Sequence, residues 1–376
     1  MPGDGPVDNP PIFDGHLDLA YLAEIGRDMH APASGCRGPL LPASVTLPSL
    51  AAGNVRACLG TIFTEPSEPA GVGPGPGAGL GSGLVASSGA GAYTYPPGDA
   101  DAAHRAGLRQ LKLYHAWRDA GVIGLLPDPG DAPLAVGVLM EGADPIRSAD
   151  EVAWWGGQGV VAIGLAWARG SRYAGGNAQG DGLSPAGRHV VRAIDEAGLV
   201  HDLSHLSDRA MDELLGASDG RVIASHSNAR ALLGGSSGGD DPGGKDQRHL
   251  RDGCIAEIAR RGGVVGVNLH APFLDPAFTR GGERPPLRAA LEHVLRIADV
   301  GGKRSVALGT DMDGGFDATC LPEGVNTPAG LRALLDMLAA EGWTQAEVAD
   351  FAGGTWARFF GLGWGPDGPG PGAAKG

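Results

Sequence analysis

Residues 199–226 read LVHDLSHLSDRAMDELLGASDGRVIASH. The apolar run 199–204 fits a strand and is followed at once by His205. Ser207 can cap a helix over 208–216. A second apolar run, 221–225, is followed by His226. The stretch is therefore strand, helix, strand, with a histidine at the end of each strand. The same alternation extends along the chain. Eight apolar runs fit strands, at 11–17, 54–63, 134–141, 160–166, 199–204, 221–225, 263–269 and 305–310. Several are continuous and β-branched, as strands buried on both faces are. Helices are expected at 103–120, 186–197, 249–261, 287–299 and 328–342. In the first of these, Leu108, Leu111, Tyr114 and Trp117 recur every three residues and share a face. Pro185 suits a helix start. Ser148-Ala-Asp-Glu151 and Thr344-Gln-Ala-Glu347 read as capping boxes. The expected fold class is α/β, a (β/α)8 TIM barrel. An open doubly wound sheet would not gather strands 1, 3, 5, 6 and 8 around one mouth, and those strands carry polar endings.

The chain has 376 residues, 42% of them hydrophobic, enough for a large core. A net charge of −14 argues against nucleic acid or an anionic membrane as partner. Cys36, Cys58, Cys254 and Cys320 form no CxxC pair and read as reduced thiols of a cytoplasmic protein. The start, MPGDGPVDNPP, lacks the basic and apolar regions of a signal peptide. No apolar stretch reaches the roughly 18–20 residues of a membrane helix. One domain over 1–363 is expected. Its Gly-rich insertions would lie at 69–92 and 234–247, and 364–376 would be a disordered Gly/Pro tail.

Polar endings at strand C-termini are where a barrel keeps its chemistry. His16 and Asp18 lie two apart, so an extended strand points both one way. Imidazole nitrogen and carboxylate oxygen suit zinc at roughly 2.0–2.2 Å. Glu141 closes an apolar run, and its two oxygens can bridge two metals. His205 and His226 end consecutive strands and would stand side by side as a second metal site. Ser204 and Ser225 read as packing or backbone-bonding residues. Asp311, after the last strand, is placed for proton transfer. Asp313 is its competitor and the better candidate for holding a loop. His201 reads as a core histidine, and His270 divides equally between a pocket and a loop role.

The segments DGHLD (14–18), GLSPAGRHVVRAIDEAGLVHDLSH (182–205), SHSNARAL (225–232), RGGVVGVNL (261–269) and LGTDMDG (308–314), with the Glu-Gly after strand three, resemble the membrane (renal) dipeptidase family, peptidase family M19. The resemblance runs from about residue 12 to about residue 360. It implies an amidohydrolase-like barrel with two zinc ions per chain. His16 and Asp18 would bind the first, Glu141 would bridge, and His205 and His226 would bind the second. It further implies Asp311 as the acid/base and Arg248 as the holder of the substrate carboxylate. The implied reaction is hydrolysis of a small dipeptide by a metal-bridged hydroxide, a D-residue being accepted on the C-terminal side. A homodimer is expected from the resemblance only.

One departure stands out. Many members carry Leu-Thr-His after strand four, and that histidine contacts the substrate carbonyl. This chain reads Leu165-Ala166-Trp167. Trp167 offers a single N–H donor, with Arg169, Arg172 and Tyr173 close behind. Two rival functions follow: a metal-dependent amidohydrolase acting on a non-dipeptide amide or lactam, and a catalytically silent ligand-binding barrel.

Overall fold

The computed structural model describes residues 9–67, 93–233 and 245–363. The insertion expected at 69–92 and the tail at 364–376 lie outside the described residues. So does the one at 234–247, save that Lys245–Arg248 form a short 3-10 turn.

Each of the eight expected runs contains a strand. They are β1 Ile12–Leu17, β2 Val55–Phe63, β3 Ala135–Glu141, β4 Val160–Gly164, β5 Val200–Asp202, β6 Val222–Ile223, β7 Val265–Val267 and β8 Val306–Leu308. All are parallel. β1 through β6 pair in chain order. A single parallel bridge, Ala224 to Val265, passes the sheet on to β7, which pairs with β8. The sheet curls until β8 meets β1, where Asp14 spans the seam. Its carboxylate accepts from the backbone N of Thr310 at 2.8 Å and from the Thr310 hydroxyl at 2.5 Å. Short pairings outside the barrel join Glu65–Pro66 to Thr94–Tyr95 and Gly124–Leu125 to the start of β3.

Strand alternation divides the apolar residues into two cores. In β3, Val136, Val138 and Met140 pack outward with the helix Ala100–Asp119, whose Leu111, Tyr114 and Trp117 are buried. Leu139 faces inward with Phe13, Leu59, Ala162, Ile223 and Ala307. Trp356, from the last helix Thr355–Phe359, fills that interior, and its indole N–H donates to the Leu308 carbonyl at 2.8 Å. Gly15 leaves room for the indole: a Cβ there would lie 2.6 Å from Trp356 Cζ2. Glu141 continues the inward alternation of β3 and surfaces at the opposite end.

Local signals mostly hold. Ser207 accepts from Ala210 N at 3.0 Å, Pro185 opens the helix Pro185–Glu196, and Thr344 and Glu347 form a complete capping box. Ser148 differs. Its hydroxyl caps nothing, because Glu151 turns to the backbone N and guanidinium of Arg147.

Candidate metal centre

Six strand-end side chains meet at the mouth. His16, Asp18 and Glu141 form one triad, Glu141, His205 and His226 a second, and His16, His226 and Asp311 a third. Within each triad the ligand-type atoms lie within 4.8 Å of one another. Glu141 sits between the groups. Its Oε2 is 3.6 Å from His16 Nε2, while its Oε1 is 3.1 Å from His205 Nε2 and 3.6 Å from His226 Nε2. His16 Nε2 also lies 3.7 Å from Asp18 and 4.0 Å from Asp311. Asp18 is not on the strand proper. The β1 ladder is irregular between Asp14 and Leu17, and Asp18 opens the helix Leu19–Glu24. Simple alternation thus reaches the right pair by a less regular backbone.

Backbone strain supports the cluster. His205 at φ 66° and Asp311 at φ 58° are left-handed without being glycine. Such positions cost on the order of 1–3 kcal/mol each and collect at functional sites. Asp311 also needs Gly314 behind it, since a Cβ there would come within 1.9 Å of Asp311 Oδ1. Asn268 fixes the other oxygen, donating to Asp311 Oδ2 at 2.8 Å. Asp313 is committed elsewhere. It pairs with Arg27 at 2.6 Å and accepts from Ser44 N and Val45 N, tying down the loop after β1.

The histidines are oriented from behind. Ser225 Oγ donates to Asp202 Oδ2 at 2.6 Å, which commits its only proton. It must then accept from His226 Nδ1 at 2.7 Å, which leaves a lone pair on His226 Nε2. His205 Nδ1 donates to Asn177 Oδ1 at 3.2 Å, leaving a lone pair on its Nε2 as well. These two Nε2 atoms are 2.9 Å apart. Two lone pairs at that distance repel unless a cation takes them both or separates them. Burial agrees with neutral rings. It pushes His16 down to about 3 and His205 and His226 well below the ordinary imidazole value, and Arg248 adds to each shift. Burial also drives Glu141 and Asp311 well above the usual carboxylate range, reinforced by the charge on Asp18. Imidazole nitrogens and carboxylate oxygens with unsatisfied lone pairs are a donor set that fits zinc.

Arg248 is buried, not a surface residue. Its Nη1 donates to Ser227 Oγ at 3.0 Å and its Nη2 to the His226 carbonyl at 2.7 Å. Its Nε has no partner, and no carboxylate among the described residues pairs with it. Trp167 stands at the flank, its ring 5.9 Å from that of His205 and 5.2 Å from that of Phe63. Arg172 is bound to Asp144 and the Tyr173 hydroxyl to the Ile146 carbonyl, so neither substitutes for a missing histidine. His201 bonds Asp195 at 2.7 Å, as a core histidine would.

The sequence reading missed the residues behind the ligands. Ser225 is more than packing, since it holds the His226 ring. Asp202 holds Ser225, Asp14 holds β1 to β8, and the Thr61 hydroxyl donates to Asp18. The available signal was an acid two residues before a strand-end polar group, at Asp14 before His16 and Asp202 before Ser204.

A model of the membrane dipeptidase family, peptidase family M19, matches residues 7–361. An uncharacterized dipeptidase of Schizosaccharomyces pombe is 32% identical over 173 residues, 46% of this chain and 38% of that protein. An uncharacterized protein from the pqqA 5′ region of Klebsiella pneumoniae is 29% identical over 208 residues, 53% of this chain and 71% of that one. The chain thus spans well under half the length of the first of these relatives. Among solved structures, the fold is similar to that of a Rhodobacter sphaeroides metallo peptidase liganded with a phosphinate mimic of L-Ala-D-Ala. The TM-score is 0.73 and the identity 24%, over 95% of this chain and 100% of that one.

Proposed function

Since the chain belongs to the membrane dipeptidase family, we propose that it hydrolyses the peptide bond of small dipeptides at a two-zinc site. One observation carries the reading: the two oxygens of Glu141 face different histidines, Oε2 toward His16 and Oε1 toward His205 and His226. His16, Asp18 and Glu141 would hold one cation, and Glu141, His205 and His226 the other. Zinc at these positions supplies Lewis acidity to a carbonyl and acidity to water. The chain's own residues do the rest. Asp311 takes a proton on its free Oδ1 while Asn268 pins Oδ2, and it returns that proton to the leaving amine. Arg248 offers its unpartnered Nε to the substrate carboxylate, which compensates an otherwise unpaired buried charge. A C-terminal D-residue is within the reading.

Trp167 motivates a second reading, a metal amidohydrolase acting on another amide or a lactam. Its ring borders His205 where many relatives place a substrate-contacting histidine. The test is metal content of protein purified without added metal, together with a panel of L-Xaa-L-Xaa and L-Xaa-D-Ala dipeptides. About two zinc ions with chelator-sensitive cleavage is the expected result. Two zinc ions without cleavage would move the function to the second reading, and absence of metal after reconstitution would leave a silent ligand-binding barrel. A cytoplasmic location and a homodimer belong to the same proposal. No helix among the described residues is long and apolar enough to cross a membrane.

A further inference from the structure

The loop after β8 is anchored on both sides of Asp311. Before it, Thr310 gives its backbone N–H and its hydroxyl to Asp14 at 2.8 and 2.5 Å. After it, Asp313 is held by the loop that follows β1. Asp313 Oδ2 accepts from Arg27 Nη1 at 2.6 Å, from Ser44 N at 2.9 Å and from Val45 N at 2.8 Å. The side chains of Arg27 and Asp313 are both fully buried. The Arg27 guanidinium also donates to the carbonyls of Pro39, Leu40 and Val45. A further tie between the same two loops runs from Ala318 N to the Pro42 carbonyl at 3.0 Å.

Between the two anchors the chain takes an unfavourable path. Asp311 has φ 58° and Asp313 φ 62°, both left-handed. Met312, between them, is buried. Gly314 N donates to the Asp311 carbonyl at 3.0 Å and Gly315 N to the Asp313 carbonyl at 2.9 Å. Residues other than glycine keep such a φ only where their surroundings over-determine it. The direction of the Cα–Cβ bond follows from the backbone, so relaxation to an extended φ would re-aim the Asp311 carboxylate. Asn268 holds one oxygen of that carboxylate but not the backbone beneath it. An ion pair as deeply buried as Arg27–Asp313 returns little net stability, because desolvation offsets the attraction. What it fixes is one arrangement of two loops.

We propose that Asp313 is a positioning residue for the reaction: gripped by Arg27, Ser44 and Val45, it keeps Asp311 left-handed, with Oδ1 toward His16. This rests on the reading of Asp311 as the acid/base of a dipeptidase, and it adds a residue that touches no substrate. All three grips converge on Oδ2, so an amide oxygen in that place accepts the same bonds. Asparagine also tolerates left-handed backbone. Asp313→Asn therefore removes the charge and keeps the grip, while Asp313→Ala removes both.

The first measurement is kcat and KM on one dipeptide, per folded and zinc-loaded molecule. Asp313→Ala should lower kcat about 10- to 100-fold, the worth of a misplacement near 1 Å, with KM and zinc content nearly unchanged. Asp313→Asn should recover most of that rate. In an Asp311→Asn background, Asp313→Ala should cost nothing further, because both changes act through one group. If Asp313→Ala does not fold, Arg27→Lys takes its place. It keeps a charge for Asp313 and gives up the fan of carbonyl bonds, and the same loss in kcat and the same silence in Asp311→Asn are expected. An unchanged kcat, an equal fall in the Asp311→Asn background, or an Asp313→Asn as slow as Asp313→Ala would each overturn the proposal. The second measurement is hydrogen exchange at Gly314 and Gly315, which needs no turnover. Both amides should exchange faster in Asp313→Ala than in wild type or Asp313→Asn, while those of β3 keep their rates. Equal exchange would overturn the proposal. Faster exchange in Asp313→Ala, together with a wild-type protein that cleaves no dipeptide, would overturn the dipeptidase reading and leave the grip on the loop standing.

Discussion

The two ends of the barrel interior are built on opposite principles. At the closed end, Trp356, Phe13 and Phe360 lie against one another, with Trp356 6.0 Å from Phe13 and 6.2 Å from Phe360. The indole N–H of Trp356 is satisfied, and the burial is apolar. At the mouth, three carboxylates and three imidazoles are packed together, two of them on left-handed backbone. The closed end gains free energy from burial. The mouth loses it, through desolvated charge, facing lone pairs and strained φ angles, and under the two-zinc proposal a bound cation would recover it. Stability and chemistry are thus separated along one barrel axis.

That contrast can be broken in five ways, taken from the largest expected effect down. Asp311→Asn should lower kcat about 10²- to 10⁴-fold, the usual worth of a general acid/base, with zinc content and melting temperature preserved. A melting temperature that falls with activity would make Asp311 a structural residue and erase the division between the ends. Trp356→Ala should have the reverse signature: about 3–5 kcal/mol lost in urea unfolding, with kcat per folded, metal-loaded molecule retained. Stripping metal with a chelator should destabilise the protein by about 2.7 kcal/mol for each zinc site, relative to protein held at a hundred times that site's dissociation constant. Calorimetric melting that ignores the chelator would mean that the mouth gains nothing from a cation. Ser225→Ala frees the His226 ring and should weaken zinc about 10- to 100-fold, read by competition with a chromogenic chelator. Thr344→Ala removes a complete capping box far from the mouth. It should cost about 1 kcal/mol and leave zinc affinity untouched, which sets the baseline for an ordinary surface change.

Much of this molecule is legible in its sequence, for local reasons. Eight apolar runs became the eight strands because a strand buried on both faces must be continuously apolar. The six polar endings stood out because each interrupts such a run. Ser207, Pro185 and Thr344 act within one helical turn, so their neighbours in sequence are their neighbours in space. Ser148 differs because an equally local partner competes: Glu151 bonds Arg147, four residues before it, instead of closing the capping box. Arg248 is assigned to the substrate carboxylate by resemblance alone, and its burial is not legible at a position that follows a glycine-rich stretch.

By itself, then, the sequence determined the strand and helix order, the barrel, and which side chains gather at one mouth. Period and interruption are properties of a linear pattern. Only the tertiary structure decided how those side chains are held. Asp14 reaches Thr310 across the closing seam, and Asp202 acts on His226 through Ser225. Asn268 joins Asp311 to the backbone of His270, and the Phe273 ring lies against both Arg248 and His270. The contacts of Asp14 with Thr310, Asp202 with Ser225, Asn268 with Asp311 and Arg248 with Phe273 each join segments more than 20 residues apart. Their partners are set by the curl of the sheet, and no spacing along the chain encodes that distance.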